Sequence, residues 1–217
     1  MNRRLVLAAE FLLFFAILPV SFVWNYPVWI KGILALLGLA YIVFRLVKDP
    51  SKPLKFHRNY DLQKFWKRVG VQFIVVALVT TGYVYYLAPE SLFCVPRNDP
   101  RLFVVILGIY TFLSVWPQEL IYRTYFFSRF ESLFPKKGIL IFVNAIVFSL
   151  AHIFFRNTLV TILTFIGGLL FAYTYFKTRS TLLVSIEHAL YGNWLFTVGM
   201  GDMLAFPGMD SCAGPVL

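Results

Sequence analysis

Charge is what this sequence has least of. Only 14% of its 217 residues are charged, and Asp and Glu together number ten, against about 25% charged residues in soluble domains. So few ionic groups exclude an ordinary water-soluble globule. Cysteine is scarce as well. Cys94 and Cys212 stand alone, without the paired spacing of a structural zinc site or the density of a disulfide scaffold. No HExxH is present, no glycine-framed nucleophile elbow surrounds Ser149 or Ser185, and no internal repeat is visible.

What is abundant is apolar. Hydrophobic residues make up 59% of the chain, mean hydropathy is +0.75, and there are 24 Phe, 12 Tyr and 5 Trp. These values predict an all-α, polytopic membrane helical bundle, a single integral membrane domain over 1–217. The net charge of +10 does not point to nucleic acid. Eight of the 20 Lys and Arg fall between Arg45 and Arg68, beside apolar spans, which is the pattern of a cytoplasmic loop.

A membrane-crossing helix needs about 20 apolar residues. About seven transmembrane helices are predicted, at 5–24, 28–47, 69–88, 101–130, 138–155, 159–177 and 181–199, with Pro117 expected to kink the fourth. The first is read as a retained span, because its apolar run is long for a signal peptide and no A-x-A site follows. With Arg3 and Arg4 inside, the loop 48–68, Lys136, Lys137, Lys177 and Arg179 also fall inside. The expected location is therefore the cell (inner) membrane, with a cytoplasmic N-terminus and an extracytoplasmic C-terminus. Cys94 and Cys212 would share the outer side, where a bridge between them is one reading and two unrelated thiols the other.

Ionisable groups within spans are costly and mark functional sites by default. The later spans carry Gln118, Glu119, Arg123, His152, Glu187, His188 and Asn193. Glu119 and Arg123 are four apart and share a helix face, as either a packing ion pair or part of a site. At 1.5 Å per residue, Gln118, His152 and His188 lie roughly 18, 21 and 12 Å above the inner ends of their helices, so three helices offer them to one zone. A carboxylate with a histidine can deprotonate water, and a second histidine with an amide can hold an oxyanion. That chemistry is peptide hydrolysis without a covalent intermediate and without a cofactor or metal. A minority reading is a zinc set of Glu119, His152 and His188.

Three blocks, "QELIYR" (Gln118 to Arg123), "FSLAH" (Phe148 to His152) and "HALYGN" (His188 to Asn193), resemble the motifs EExxxR, FxxxH and HxxxN of the CPBP family, the CAAX-protease and bacteriocin-processing group of intramembrane glutamic endopeptidases. They lie in family order within a core of about 101–199. The resemblance implies an enzyme acting on a membrane-associated peptide or protein. It implies that position 118 and His152 activate water, that Glu119 and Arg123 support the site, and that His188 with Asn193 holds the oxyanion. Two departures stand out. Gln118 replaces the glutamate that would act as base, an isosteric exchange read as a deliberate inactivating change, with a natural pseudoprotease as the rival. Asn193 is five residues after His188, not four, so only a local bulge would return it to that face. A C-terminal sorting signal or leader is the expected substrate. The competing readings are a non-catalytic scaffold or immunity-type protein that binds a peptide, and a small proton-coupled transporter, disfavoured by the lack of repeats.

Overall fold

The computed structural model describes residues 3–51, 53–54 and 60–204. Among the described residues there are helices and no strand, as the composition predicts. The long helices are α1 (Arg3–Ser21), α2 (Val28–Lys48), α3 (Leu62–Leu87), α4 (Pro100–Leu133), α5 (Lys137–Leu150), α6 (Thr158–Thr178) and α7 (Thr181–Val198).

Six segments are long and apolar enough to cross a membrane, the fifth being α5 together with the turns that carry it on to Phe155; α7 is not among them. It exists where the seventh span is predicted, but Glu187, His188 and Asn193 dilute its apolar content. Large side chains on these helices stay exposed, among them Leu78, Phe112 and Leu113 at 70%, 70% and 72%. Such rows can be stable only against hydrocarbon, since in water they would form an apolar patch beyond what soluble surfaces carry. The protein is an integral membrane protein.

Several boundaries move for local reasons. α3 starts seven residues before the predicted 69, because Asp61 caps it and accepts from the amides of Gln63 (3.0 Å) and Lys64 (3.1 Å). Lys64, Lys67 and Arg68 therefore ride on a helix and not in a loop. α5 stops at Leu150, a turn carries Ala151 and His152, and a 3-10 turn follows over Ile153–Phe155. In α4, the turn before Pro117 widens to a π-helix over Tyr110–Val115, with the Trp116 amide reaching back five residues to Thr111. α1 repeats the device, with a π turn over Leu13–Ile17 just before Pro19. Proline has no amide hydrogen and its ring crowds the carbonyl four residues back. The wider turn absorbs that conflict.

The chain forms two compact units, one from residues 1–58 and 117–184, the other from 59–116 and 185–217. The first holds an aromatic core around Phe15, Tyr122, Phe126 and Phe130, whose rings meet edge to face at 5.4–5.6 Å from Phe15. At Gly168 a Cβ would come within 2.9 Å of the Ala145 Cα, so α5 and α6 approach there at backbone distance. The second unit packs Ile106, Tyr110, Val115, Ala189 and Phe196 together, with Trp194 donating to Thr80 Oγ1 at 2.9 Å. Cys94 is buried and opens a short helix, Cys94–Asn98; Cys212 lies outside the described residues.

Candidate active site

In the first unit, the "QELIYR" block crosses from a short α-helical stretch, Trp116–Glu119, into a second π turn, Leu120–Tyr125. Gln118 is half-buried. Glu119 and Arg123 are fully buried, and Arg123 Nε lies 3.4 Å from Glu119 Oε2. The pair expected from the four-residue spacing therefore forms, and it forms out of contact with solvent. Arg123 also lies over the ring of Phe148 at 4.5 Å and that of Phe171 at 5.7 Å. A desolvated guanidinium gains most from such rings.

Phe148 is thus not a spacer in "FSLAH". Its other edge meets the His152 ring with 4.8 Å between centroids, and its carbonyl bonds His152 Nδ1 at 2.8 Å. A carbonyl only accepts, so Nδ1 carries the hydrogen and the basic lone pair is on Nε2. The end of α5 just before His152 permits this turn-back. Glu119, Arg123, Phe148 and His152 form one continuous set of contacts, in which the aromatic ring aligns guanidinium and imidazole. Asn144, one turn before Phe148, donates to the carbonyl of Tyr122 in the π turn at 2.5 Å and ties α5 to α4. Ser149 is committed elsewhere, donating to the Thr161 carbonyl at 2.8 Å, so the serine beside His152 does not act as a poised nucleophile.

His188 and Asn193 belong to the second unit. α7 is regular from Thr181 to Val198, with no wide turn between them. At about 100° per residue Asn193 projects well away from His188, and its amide donates to Thr111 Oγ1 at 3.0 Å. The structure does not bring these two residues together. Gly192 is the residue one turn after His188. A Cβ there would collide with the Tyr110 hydroxyl and ring. The glycine admits Tyr110, whose ring also meets His188 edge-on at 6.1 Å. Tyr110 was not legible in the motif blocks. Gly192, in the place where the family pattern has asparagine, was the one available signal.

The second unit also holds an acid that the motifs pass over. Glu187, fully buried, pairs with Arg68 at 3.8 Å and accepts from the Tyr191 hydroxyl at 3.2 Å. Among the described residues no group of three His, Cys, Asp or Glu is placed to hold a metal ion.

Compared with known proteins, residues 100–194 match the family model described as Rce1-like, type II CAAX prenyl endopeptidase Rce1-like. The match runs from the start of α4 through Trp194 and contains all three motif blocks. No curated protein and no solved structure matches the chain.

Proposed function

We propose, from the match of residues 100–194 to the Rce1-like family model of CAAX-type endopeptidases, that the chain is a glutamate-type intramembrane endopeptidase, present here in a Glu→Gln form at position 118. A carboxylate at position 118 and His152 Nε2 would take a proton from water as its oxygen attacks the scissile carbonyl. His152 would return a proton to the departing amine. The Glu119–Arg123 pair acts from behind, holding Phe148 and so the imidazole.

For the oxyanion, His188 is one donor and the Tyr110 hydroxyl the other, with Asn193 fixing Thr111 in support. This replaces the His188–Asn193 couple of the motif pattern. The substrate is a membrane-associated peptide or protein cut near its terminus, a sorting signal or leader. The active chain resides in the inner membrane with its N-terminus in the cytoplasm.

The observation that carries this reading is the continuous set of buried Glu119, Arg123 and Phe148 with half-buried His152, whose imidazole is locked as the Nδ1–H tautomer. Four costly or precisely oriented groups, three on membrane-spanning helices and His152 in the turn that ends α5, suit catalysis, and the basic nitrogen is the one needed. Gln118 favours the second reading, a non-catalytic peptide-binding scaffold, because an amide accepts no proton at neutral pH. One experiment separates them. Gln118→Glu and the unaltered protein are purified in detergent and incubated with co-expressed candidate membrane peptides, and products are read by mass spectrometry. Cleavage by Gln118→Glu that disappears with His152→Ala is the expected result. Tight peptide binding by both forms with cleavage by neither would establish the scaffold.

A further inference from the structure

Away from the motif residues, the first unit carries a half-open cavity of about 790 Å³. Its walls carry Arg3, Arg45, Lys48, Arg129 and Arg179. These sit at Arg3 of α1, the last turn of α2, the end of α4 and the residue after α6. Four helices that cross the membrane by length and composition thus finish around one basic hollow. Ends of spans of this length fall at the boundary between hydrocarbon and headgroups.

The cations are not loose. Arg129 grips Glu10 through Nε (2.9 Å) and Nη2 (2.6 Å). Arg179 grips Glu131 through both Nη atoms at 2.8 Å. Arg45 donates to Tyr41 at 2.9 Å and lies 4.0 Å from Glu10. Tyr125 donates to Glu10 as well. Two carboxylates behind or beside the wall therefore set the direction of three guanidinium groups. Asp49 is a third acid, on the lining with Glu131, and its side chain is occupied by the Ser51 amide at 2.9 Å. Five cations against three carboxylates leave a surplus of two positive charges. A planar carboxylate would satisfy one arginine and leave the others unmatched. A tetrahedral phosphate presents two free oxygens as a diester, three as a monoester and four as the inorganic ion, directed apart in space and carrying a charge of one to two, which matches donors arriving from several directions.

We propose that this cavity is a binding site for a phosphate group at the membrane boundary. The group is carried either by the headgroup of an anionic lipid or by a small soluble phosphate compound. Arg3 and Lys48, which have no carboxylate grip of their own among the contacts above, supply the surplus charge. Arg45, Arg129 and Arg179 supply oriented hydrogen-bond donors. The site does not depend on the proteolytic reading.

The test uses the full-length protein in neutral detergent and reads its unfolding temperature as probe is added, since a ligand of the folded state raises it saturably. The probes are dihexanoyl phosphatidylglycerol, inorganic phosphate and, as a charged non-phosphate control, hexanoate. A saturable rise with the lipid alone assigns the site to a headgroup, with phosphate alone to a soluble compound, and with both to the phosphate group itself. Each supports the proposal if apparent affinity drops tenfold or more in Arg3→Gln/Lys48→Gln, whose unliganded unfolding temperature stays at the parent value. Should the double variant fold poorly, Lys48→Gln alone is expected to weaken binding about threefold. No saturable rise with either phosphate probe, an equal rise with hexanoate, or unchanged affinity in both variants would overturn it.

Discussion

Two buried glutamates in this protein are each paired with an arginine, and they reach that state by opposite routes. Glu119 meets Arg123 one turn along the same helix, both fully sealed, at 3.4 Å. Glu187 on α7 meets Arg68 on α3 at 3.8 Å, and the Arg68 side chain keeps 22% of its exposure. The first pair is a property of one helix and the aromatic rings around it. The second exists only because two segments 119 positions apart in sequence fold against each other. A sealed local pair has no solvent to fall back on when one partner is removed, whereas an arginine with an open flank does.

The sharpest way to break that contrast is Arg123→Met. It leaves Glu119 ionised without its counter-charge or forces it to protonate, at a cost of about 3–5 kcal/mol. Glu119→Gln/Arg123→Met removes both charges and is expected to recover most of that loss while remaining inactive. Tryptophan-fluorescence unfolding of the detergent-solubilised protein measures both. If the double variant were no more stable than the single, the pair would not be the reason for the loss.

The contrast also explains what could be read from the sequence. Helix existence, the membrane class and the Glu119–Arg123 pair were legible because each depends on spacing within about one helix. The chain order of the motif blocks led to the family that the match over residues 100–194 supports. Pairings set by tertiary approach were not legible. Nothing near Glu187 names Arg68, and nothing near His188 names Tyr110. Gly192 could be seen, but not that its missing Cβ makes room for a phenol. The π turn ahead of Pro117 was expected as a kink, because proline reveals the conflict but not how the backbone resolves it.

Tyr110 gives the next largest effect. In the Gln118→Glu background, Tyr110→Phe removes one hydroxyl and keeps the ring that packs on His188 and on Phe196 at 4.9 Å. Loss of one oxyanion donor lowers kcat roughly 10²-fold with KM unchanged. A rise in KM at constant kcat would assign Tyr110 to substrate binding. The partner variant His188→Ala should not multiply with Tyr110→Phe if the two donors serve one oxygen.

Arg68→Met tests the open pair directly. Tyr191 still donates to Glu187, and water reaches the flank that Arg68 leaves, so the expected loss is about 1–2 kcal/mol, well under that of Arg123→Met in the same unfolding assay. Equal losses for the two arginines would mean that sealing does not distinguish them, and the comparison would fail.

The smallest effect lies at Asp61, which caps the helix that delivers Arg68. The Lys64 amide, the largest influence lowering its pKa, and the Lys64 ammonium beside it at 3.4 Å hold its carboxyl below the ordinary value of 3.8. A carboxyl whose pKa is depressed by folding binds fewer protons in the folded state than in the unfolded one. Its contribution is therefore complete above 3.8 and disappears as pH falls through the lower, folded value. Asp61→Asn keeps a side-chain oxygen for the Gln63 and Lys64 amides but cannot titrate. Its stability should fall less steeply on acidification than the parent's, while Asp61→Ala should be weaker at every pH. Because Asp61 is exposed, the change in slope will be slight. It should be accompanied by faster hydrogen exchange in the first turns of α3 for Asp61→Ala alone, and an acid slope in Asp61→Asn as steep as the parent's would show that some other carboxylate holds this end of the helix.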